Sequence, residues 1–402
     1  MREYYAGLLD TSQRRALFAN TAVSNVGFWI IEATQVWLIL ELTGSPAMVG
    51  LLALFHYGPF VVLGLFGGIW VDRFGPLRLA LIAQFGFVAS FAVLNIVALT
   101  NNLTADWIFA VAVLRGLLIT ISRPARQALV GMVVDGSRLR DGVSFNMSIA
   151  GLSRVIGPTI AGVLIATLGA KWSYVPTMVT SLAGVVLLAC LRDVPSIAVS
   201  KSSGSRLDMP AEAIRYVRQD RYSAALLTSL LLLVLIPISF LTTLPVFTRQ
   251  VLQASSVEFG LLYSSYNVGA VAGALSEPFL RSRWLRLTFV FPLILGLAEL
   301  LFAFVNSFAI AVALLVLSGF CIMLFLARVN GELLARSPTE MYGRIGGLYA
   351  YIEGALGPMG AIIVGLTIDQ LGIRIAFIVC ATTAFLSGII GFLIATPKRD
   401  KP

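Results

Sequence analysis

The chain has 402 residues, of which 58% are hydrophobic and only 12% are charged, and its formal net charge is +9. An average soluble domain is about 45–50% apolar and about 25% charged, so this composition excludes an ordinary water-soluble fold. The apolar residues recur in stretches near the ~20 residues that an α-helix needs to cross ~30 Å of hydrocarbon. We therefore expect an all-α protein that spans the bilayer many times.

Hydropathy predicts twelve transmembrane helices, which fall in two groups of six on either side of a polar stretch. The predicted ranges are 16–40, 48–70, 77–99, 107–127, 143–167, 172–191, 223–248, 257–280, 287–305, 308–334, 343–368 and 373–395.

The 29 Lys and Arg residues are distributed unequally between the two sides that these helices define. With the N-terminus inside, the opposite side holds Lys171, Arg249 and Arg374, helix interiors hold Arg115, Arg154 and Arg328, and all the others are cytoplasmic. The positive-inside rule then puts both termini in the cytoplasm. The basic charge is explained by topology, and no nucleic-acid partner is expected.

Helix 1 carries a carboxyl group, Glu32, in the middle of the predicted span. Ionisable groups at this depth cost roughly 2.5–3.5 kcal/mol, so Glu32 requires a partner or a function. Helical spacing puts polar and aromatic residues on the same side, which suits a cavity wall: Thr21, Asn25, Phe28, Trp29 and Gln35. Three roles remain open for Glu32: a proton carrier, a structural hydrogen bond, or a contact to a cationic substrate.

Helix 2 contains His56, the single histidine of the chain, next to Tyr57. A satisfied hydrogen bond is the default interpretation, and cavity lining is the alternative. One histidine cannot build a metal site, and Cys190, Cys321 and Cys380 lie singly in apolar runs. No metal, cofactor or disulfide is expected, and the polar, basic N-terminus does not look like a removable signal peptide.

The turn after helix 2 carries the most informative motif. It reads Gly68-Ile69-Trp70-Val71-Asp72-Arg73-Phe74-Gly75-Pro76-Leu77-Arg78. This resembles the major facilitator signature G-x-x-x-D-R-x-G-x-R-R, from which it departs at Leu77. We expect Gly68 to allow close helix approach and Gly75 to permit a tight reversal. The resemblance implies two pseudo-symmetric six-helix bundles, and it assigns to Asp72, with Arg73 and Arg78, a latch that holds the halves together when the outside is open.

Three further segments resemble one branch of that superfamily. They are Arg123-Pro124-Ala125-Arg126-Gln127-Ala128-Leu129 after helix 4; Asn146, Arg154 and Gly157-Pro158-Thr159-Ile160-Ala161-Gly162 in helix 5; and Gly343-Arg344-Ile345-Gly346-Gly347-Leu348-Tyr349 at the start of the helix over 343–368. This branch contains the macrolide-efflux and enterobactin-efflux proteins and implies drug:proton antiport. Helix 5 is similar to the antiporter motif G-P-x-x-G-G, with Ala161 replacing one glycine and Ser153 an upstream one.

Two arginines lie inside the predicted helices of the first half. Arg115 stands where many proton-coupled exporters of this family carry a functional arginine, although the glycine four residues later in their motif is Ile119 here. It is either a counter-charge to Glu32 or a side chain that snorkels to the interface. Arg154 is assigned to helix contacts or to gating.

The linker over 192–222 separates an N-terminal bundle, 1–191, from a C-terminal bundle, 223–402. Lys201 to Ser205 is flexible linker material. Residues Asp208 to Arg221 predict a short helix with Asp208 as its cap and Arg215, Arg218 and Arg221 on one side. The helix lies either at the lipid headgroups or in solvent.

The second half echoes the first. Gly50-Leu51-Leu52 recurs as Gly260-Leu261-Leu262, and Gly157-Pro158 recurs as Gly357-Pro358. The first alignment places Tyr266 and Asn267 at the positions of His56 and Tyr57, so Tyr266 and Asn267 are also candidates for the cavity wall. A duplicated six-helix unit is the simplest explanation.

Four ionisable residues lie inside the predicted helices of the second half. Glu353 is a reserve proton site, Glu299 is expected to be structural, and Arg328 and Glu332, four residues apart, are predicted to pair.

The sequence has no phosphate-binding loop and no catalytic motif, so neither an ATP-driven pump nor an enzyme is indicated. One proton crossing 100 mV yields about 2.3 kcal/mol, roughly a 45-fold concentration ratio. The expected function is proton-coupled export of a hydrophobic or amphipathic small molecule by a monomer in a bacterial cytoplasmic membrane. The alternatives are an importer, a lipid or lysolipid flippase, and a membrane sensor that does not transport.

Overall fold

The computed structural model describes residues 9–134, 138–191, 209–277, 279–280, 285–338 and 341–395, a few of them by their backbone alone. Regular secondary structure in these ranges is entirely helical. We label the longer helices α1 (Ser12–Thr43), α2 (Pro46–Phe74), α3 (Pro76–Leu99), α4 (Ala105–Val133), α5 (Leu139–Leu168), α6 (Tyr174–Ala189), α7 (Met209–Gln219), α8 (Arg221–Leu235), α9 (Ser256–Ser276), α10 (Val290–Phe302), α11 (Phe308–Ala335), α12 (Tyr342–Leu371) and α13 (Ile373–Ala395).

The segment after α8 is irregular, although the sequence predicts one helix over 223–248. A 3₁₀ helix over Pro237–Thr243, a helical turn over Leu244–Val246 and a π-helical turn over Phe247–Val251 follow one another. Pro237 has no N–H to donate to a carbonyl four residues earlier, which explains why α8 ends before it.

Ten helical segments of the described chain are long and apolar enough to cross a membrane, and Leu287–Phe302 is a shorter apolar helix. The multi-pass prediction is confirmed in this form. α9 is not among the ten, and its middle carries the polar run Ser264, Ser265, Tyr266 and Asn267. The count of twelve spans therefore stays a prediction.

The chain forms two compact units that do not follow the linker strictly. The first comprises 1–44, 55–201 and 255–264, and the second comprises 45–54, 202–254 and 265–402. The first turns of α2 therefore belong to the second unit, and the first turns of α9 belong to the first.

Glycines explain why the first turns of α2 and α9 pack closely against the units to which they belong. A Cβ on Gly50 of α2 would overlap the backbone of Ala361 in α12, and a Cβ on Gly260 of α9 would overlap the carbonyl group of Pro158 in α5. The predicted repeat pairs α2 with α9 and α5 with α12, so both contacts join helices that the repeat relates, although Pro158 and Ala361 are not corresponding positions. Small residues that let backbones approach are typical of helix packing in membranes.

Aromatic side chains fill the core of the second unit. Phe240, Phe247, Phe302 and Phe377 contact one another with ring centroids 4.5 to 5.8 Å apart. Each is almost completely buried. These rings join the irregular segment after α8 to α10 and α13, which compensates for its missing helical hydrogen bonds.

The turn between α2 and α3 has the predicted sharp reversal. Gly75 adopts φ +84°, in the region that favours glycine, and Pro76 begins α3. The expectation for Gly68 is wrong, because no heavy atom lies within 4 Å of a Cβ added there. Gly67 makes the close approach instead, against the carbonyl group of Thr120 in α4.

The linker helix α7 is shorter than predicted. Asp220 has extended backbone and accepts hydrogen bonds from the N–H groups of Tyr222 and Ser223, so Arg221 begins α8 and does not end α7. Tyr216 of α7 donates to the carbonyl group of Arg336 at 3.2 Å. The Lys201 to Ser205 segment and the Asp208 cap lie outside the described residues.

The predicted pair between Arg328 and Glu332 is also wrong. The guanidinium of Arg328 donates to the hydroxyl group of Thr288 at 3.2 Å and to the carbonyl group of Leu280 at 2.6 Å. Glu332 lies 3.7 Å from Arg336, one turn further along α11. The buried position of Arg328, which is 3% exposed, explains the choice of backbone and hydroxyl partners.

Candidate functional site

An ion pair between α1 and α4 forms the centre of the first unit. An Nη atom of Arg115 lies 2.8 Å from Oε1 of Glu32, and the side chains are 1% and 14% exposed. The other Nη atom donates to the side-chain oxygen of Gln35, one turn along α1. Spacing of three residues on a helix puts Glu32 and Gln35 on the same side, so one guanidinium reaches both.

Aromatic rings cover the remaining faces of this guanidinium. Its carbon lies 5.8 Å from the ring centroid of Phe28 and 5.6 Å from that of Phe91. Rings at this distance attract a cation and exclude water from it. The pair is therefore held in a low-dielectric environment, where its electrostatic attraction is strong and where losing one partner costs roughly 3–5 kcal/mol.

Helix α2 brings His56 and Tyr57 to the same carboxyl group. The Nε2 atom of His56 lies 3.5 Å from Oε1 of Glu32, and the Tyr57 hydroxyl group donates to Oε2 at 3.5 Å. The default expectation of a satisfied hydrogen bond for His56 is wrong, because neither ring nitrogen has a hydrogen-bond partner among the described residues. Close packing fixes this stretch of α2, because Gly116 of α4 lies against the His56 carbonyl group and the ring of Pro59. Gly116 follows Arg115, so one contact positions both sides of the site.

Arg154 of α5 lies on the face of Trp29, with its guanidinium carbon 4.9 Å from the ring centroid. Trp29 also contacts Phe28 and Tyr263, at 5.4 and 6.5 Å between centroids. Gly157, one turn after Arg154, leaves space for Trp29, because a Cβ there would overlap that side chain. The Gly-Pro motif of α5 therefore positions the tryptophan and, through it, the arginine.

A second polar group joins α1 to α5 nearer their first turns. Thr21 donates to Oδ1 of Asn146 at 2.8 Å, and Asn25 donates to the Thr21 carbonyl group at 2.8 Å. The predicted polar side of α1 thus lies against α5 at one end and against α4 at the other. It brings together most of the candidates that the sequence named in the first half.

Two arginines that the sequence analysis assigned to the cytoplasmic surface lie within α4. Arg126 donates to Asn20 at 2.8 Å, to Gln84 and to Ser122. Arg123 lies 5.5 Å from the ring centroid of Phe60 and acts electrostatically on Glu32. The signal was present in the spacing for Arg126, because Arg126 follows Arg115 by about three full helical turns and therefore lies on the same side of α4.

The candidates of the second half belong to other parts of the structure. Tyr266 and Asn267 are buried in α9, at 7% and 2% exposure, within the second unit. Glu353 is exposed on α12 and shares a hydrogen bond with Tyr349. Glu299 is 1% exposed in α10, and neither carboxyl oxygen has a hydrogen-bond partner among the described residues.

The gating candidates are separated along the chain. Asp72, Arg73 and Arg78 are exposed at the turn between α2 and α3. Arg344 is half-buried in the first turn of α12, and Gly357 and Pro358 lie in its interior, where the Ser239 hydroxyl group donates to the Gly357 carbonyl group at 2.9 Å.

Comparison with known proteins links this arrangement to transporters. Macrolide efflux protein A of Streptococcus pyogenes is 23% identical over 388 residues, which cover 93% of this chain and 94% of that protein. The multidrug efflux pump Tap of Mycolicibacterium fortuitum is 24% identical over 89% of this chain and 90% of its own. The staphyloferrin A transporter of Staphylococcus aureus is 27% identical over 65% of this chain and 66% of its own.

Solved structures give the same fold. A nucleoside transporter, NupG, superimposes with a TM-score of 0.77 over 96% of this chain and 100% of its own, at 13% identity. A bacterial homologue of the human lysosomal transporter Spinster gives 0.76 over 96% of this chain and 97% of its own, at 14% identity. The family model described as transmembrane secretion effector matches residues 6–402. The chain therefore belongs to the transmembrane secretion effector family of major facilitator transporters and is a multi-pass membrane transporter, not an enzyme.

Proposed function

We propose that the protein exports a hydrophobic or amphipathic small molecule in exchange for protons. It would act as a monomer with twelve spans and cytoplasmic termini in a bacterial cytoplasmic membrane. Efflux is supported by the relatives named for macrolide and multidrug export. Proton coupling is supported by one observation above the others, the ion pair of Glu32 and Arg115 on facing helices.

The pair can couple a proton to a change in helix packing. In the charged state Glu32 holds Arg115, and α1 is tied to α4. A proton on Glu32 removes the negative charge and leaves the buried guanidinium with Gln35 as its remaining polar partner. A buried cation without a counter-charge is costly, so protonation favours a different arrangement of these helices.

Neighbouring groups set how readily Glu32 takes up a proton. Burial of the side chain disfavours its charge, whereas the ion pair with Arg115 at 2.8 Å stabilises the carboxylate. His56 lies within 3.5 Å and can relay or share the proton. These opposing influences suit a carboxyl group that is charged in one conformation and neutral in the other.

Alternating access then needs elements that change their packing. We assign this role to Asp72, Arg73 and Arg78 beside the turn, to Arg344, and to the Gly-Pro pairs of α5 and α12. Proline inside α5 and α12 removes a backbone hydrogen bond and allows the helices to bend. Glu353 stays a reserve proton site on α12.

The test is proton flux in proteoliposomes with a panel of candidate compounds. Glu32→Gln keeps the shape and the hydrogen bond to Arg115 but cannot exchange a proton. We expect compound-driven proton flux to fall at least about tenfold, the size of a lost general acid or base contribution. Glu41→Gln is the matched control, because Glu41 is exposed near the end of the same helix, and it should retain wild-type flux.

Two outcomes would contradict the proposal. Equal flux in wild type and Glu32→Gln would remove Glu32 as the carrier. Movement of the compound towards the cytoplasmic side would favour an importer. Exchange of lipid headgroups without proton movement would favour a flippase. A sensor without transport predicts that neither Glu32→Gln nor Asp72→Asn changes the cellular phenotype.

A further inference from the structure

The charges around Tyr57 do not balance. Four charged side chains act electrostatically on its hydroxyl group: Glu32, Arg115, Arg123 and Arg154. One is a carboxylate and three are guanidinium groups, and all belong to the first unit. After Arg115 has paired with Glu32, two positive charges remain.

The two remaining arginines differ from the structural ones. Arg126 and Arg328 use their N–H groups in hydrogen bonds to side chains or carbonyl groups. Within the described ranges, Arg123 and Arg154 contact aromatic rings, Phe60 and Trp29, and neither has a carboxylate or a hydrogen-bond acceptor. Each therefore presents a planar set of N–H donors that nothing in this unit satisfies.

Accessibility separates these arginines from Arg115 as well. Arg115 is 1% exposed and committed to Glu32 and Gln35. Arg154 is half-buried and Arg123 is exposed, so both can reach a molecule that enters the unit. The rings of Trp29, Phe28 and Tyr263 adjoin Arg154 and offer an apolar surface beside its charge.

We propose that the transported molecule is an anion, an amphiphile whose carboxylate binds Arg154 while its apolar body lies on Trp29 and its neighbouring rings, with Arg123 adding positive charge in the same unit. The inference rests on the proposed export function and narrows its substrate class. A guanidinium fork matches the two oxygens of a carboxylate, and its bond to a charged acceptor is stronger than a neutral one. In the described cluster of the first unit, the carboxylate of Glu32 is already paired with Arg115, so a cationic substrate meets a neutralised group there.

Binding can be measured on the purified full chain, without transport. The probes share one ring system and carry an anionic, a neutral or a cationic substituent at the same position: 9-anthracenecarboxylate, 9-anthracenecarboxamide and 9-(aminomethyl)anthracene. Energy transfer from tryptophan to anthracene reports the titration. We expect the carboxylate to bind the wild type about tenfold or more tightly than the amide, as a charge-assisted hydrogen bond predicts, and the amine to bind most weakly.

Substitution locates the anion site. Arg154→Gln should bring the affinities for carboxylate and amide to within about twofold of each other, and Arg154→Lys should keep part of the preference, because the charge stays and the fork is lost. Arg123→Gln should weaken the preference as well. Arg374→Gln removes the same charge from the exposed start of α13 and should leave the preference unchanged.

Tightest binding of the amine, or a carboxylate preference that survives in both Arg154→Gln and Arg123→Gln, would overturn the inference. If Arg154→Gln does not fold, Arg154→Lys and Arg123→Gln decide the question. Transport of the carboxylate and the amide at equal rates would contradict the anion proposal but leave the proposed export function intact. Arg154-dependent binding without proton-coupled transport would support the inference and contradict the proposed export function alone.

Discussion

The role of a buried charged residue in this transporter depends on which side chain it pairs with. The sequence identifies Glu32, Arg115 and Arg154 as costly in a membrane, yet it does not say which of them meet. Distance along the chain carries no such information, because Glu32 of α1 and Arg115 of α4 pair although two helices, α2 and α3, intervene between them in the sequence. The Arg328 to Glu332 prediction failed for the same reason, since local spacing competes with partners from distant segments.

Asp220 shows how one carboxylate fixes the start of α8. It accepts hydrogen bonds from the Ser223 hydroxyl and N–H groups, at 2.7 and 3.1 Å, and lies 3.4 Å from Arg336. Partial burial acts to raise the pKa of Asp220, but the bonds from Ser223 and Tyr222, together with Arg336, outweigh it and hold the pKa below its ordinary value of 3.8. Because the pKa of Asp220 is lower in the folded state than in the unfolded state, its carboxylate stabilises the fold at any pH above the unfolded-state pKa. This stabilisation is lost as the pH falls through the folded-state pKa.

We expect Asp220→Ala to destabilise the protein by about 1 kcal/mol at neutral pH, as loss of an N-cap does. The melting temperature in detergent, followed from pH 7 down to pH 3, measures this. The difference from wild type should begin to shrink below about pH 4, where the carboxylate of the unfolded chain takes up protons, and should disappear only below the lower pKa of the folded state. Asp220→Asn, which still caps, should lose less. A difference that is constant over this range would exclude the charged cap.

Helix boundaries follow from local chemistry where the chain reverses and from packing elsewhere. The α2–α3 turn is readable, because Gly75 and Pro76 permit one conformation. The end of α8 at Leu235 was missed. Pro59, Pro124, Pro158 and Pro358 lie inside continuous helices, so proline in an apolar run does not by itself mark a boundary. The aromatic cluster that supports the irregular segment is assembled from three distant parts of the chain.

Close packing of α12 on the end of α8 gives a prediction at this scale. Gly360 lies against the carbonyl group of Leu235, with no space for a Cβ. We expect Gly360→Ala to destabilise the protein by about 1–3 kcal/mol, as overpacking does. Gly347→Ala is the control on the same helix, because no atom lies within 4 Å of a Cβ there. That substitution should stabilise α12 by about 0.5–1 kcal/mol.

Thermal unfolding of the two variants in one detergent distinguishes them. Opposite shifts in melting temperature are expected. A Gly360→Ala protein as stable as wild type would show that α12 does not need this contact.

Each of the two compact units contains a close glycine contact between helices that the predicted repeat relates. Gly50 lies against Ala361 in one unit, and Gly260 lies against Pro158 in the other. The sequence echoes predicted the duplication but could not predict that the first turns of α2 and α9 cluster with the opposite unit. That exchange depends on how the helices pack, which no pattern within one helix records.

Membrane orientation is a prediction for the whole chain. Asn102 is exposed in the turn between α3 and α4, and Cys190 is exposed after α6. With cytoplasmic termini, a membrane-impermeant thiol reagent should label Asn102→Cys in intact cells and native Cys190 only in inside-out vesicles. Asn102→Cys is therefore made in a Cys190→Ser background. Labelling of Cys190 in intact cells would invert the topology.

The sequence by itself determined that the chain is a multi-pass membrane protein, that it carries motifs of major facilitator transporters, and which charges inside it are costly. These properties depend on composition, on local turn chemistry and on the price of burying a charge, all of which act within short segments. Only the tertiary structure decided that Glu32 meets Arg115, that Arg126 donates to Asn20, Gln84 and Ser122, and that Arg123 and Arg154 contact aromatic rings and no acceptor among the described residues. Those outcomes depend on which helices pack together, and packing joins residues that no local pattern connects.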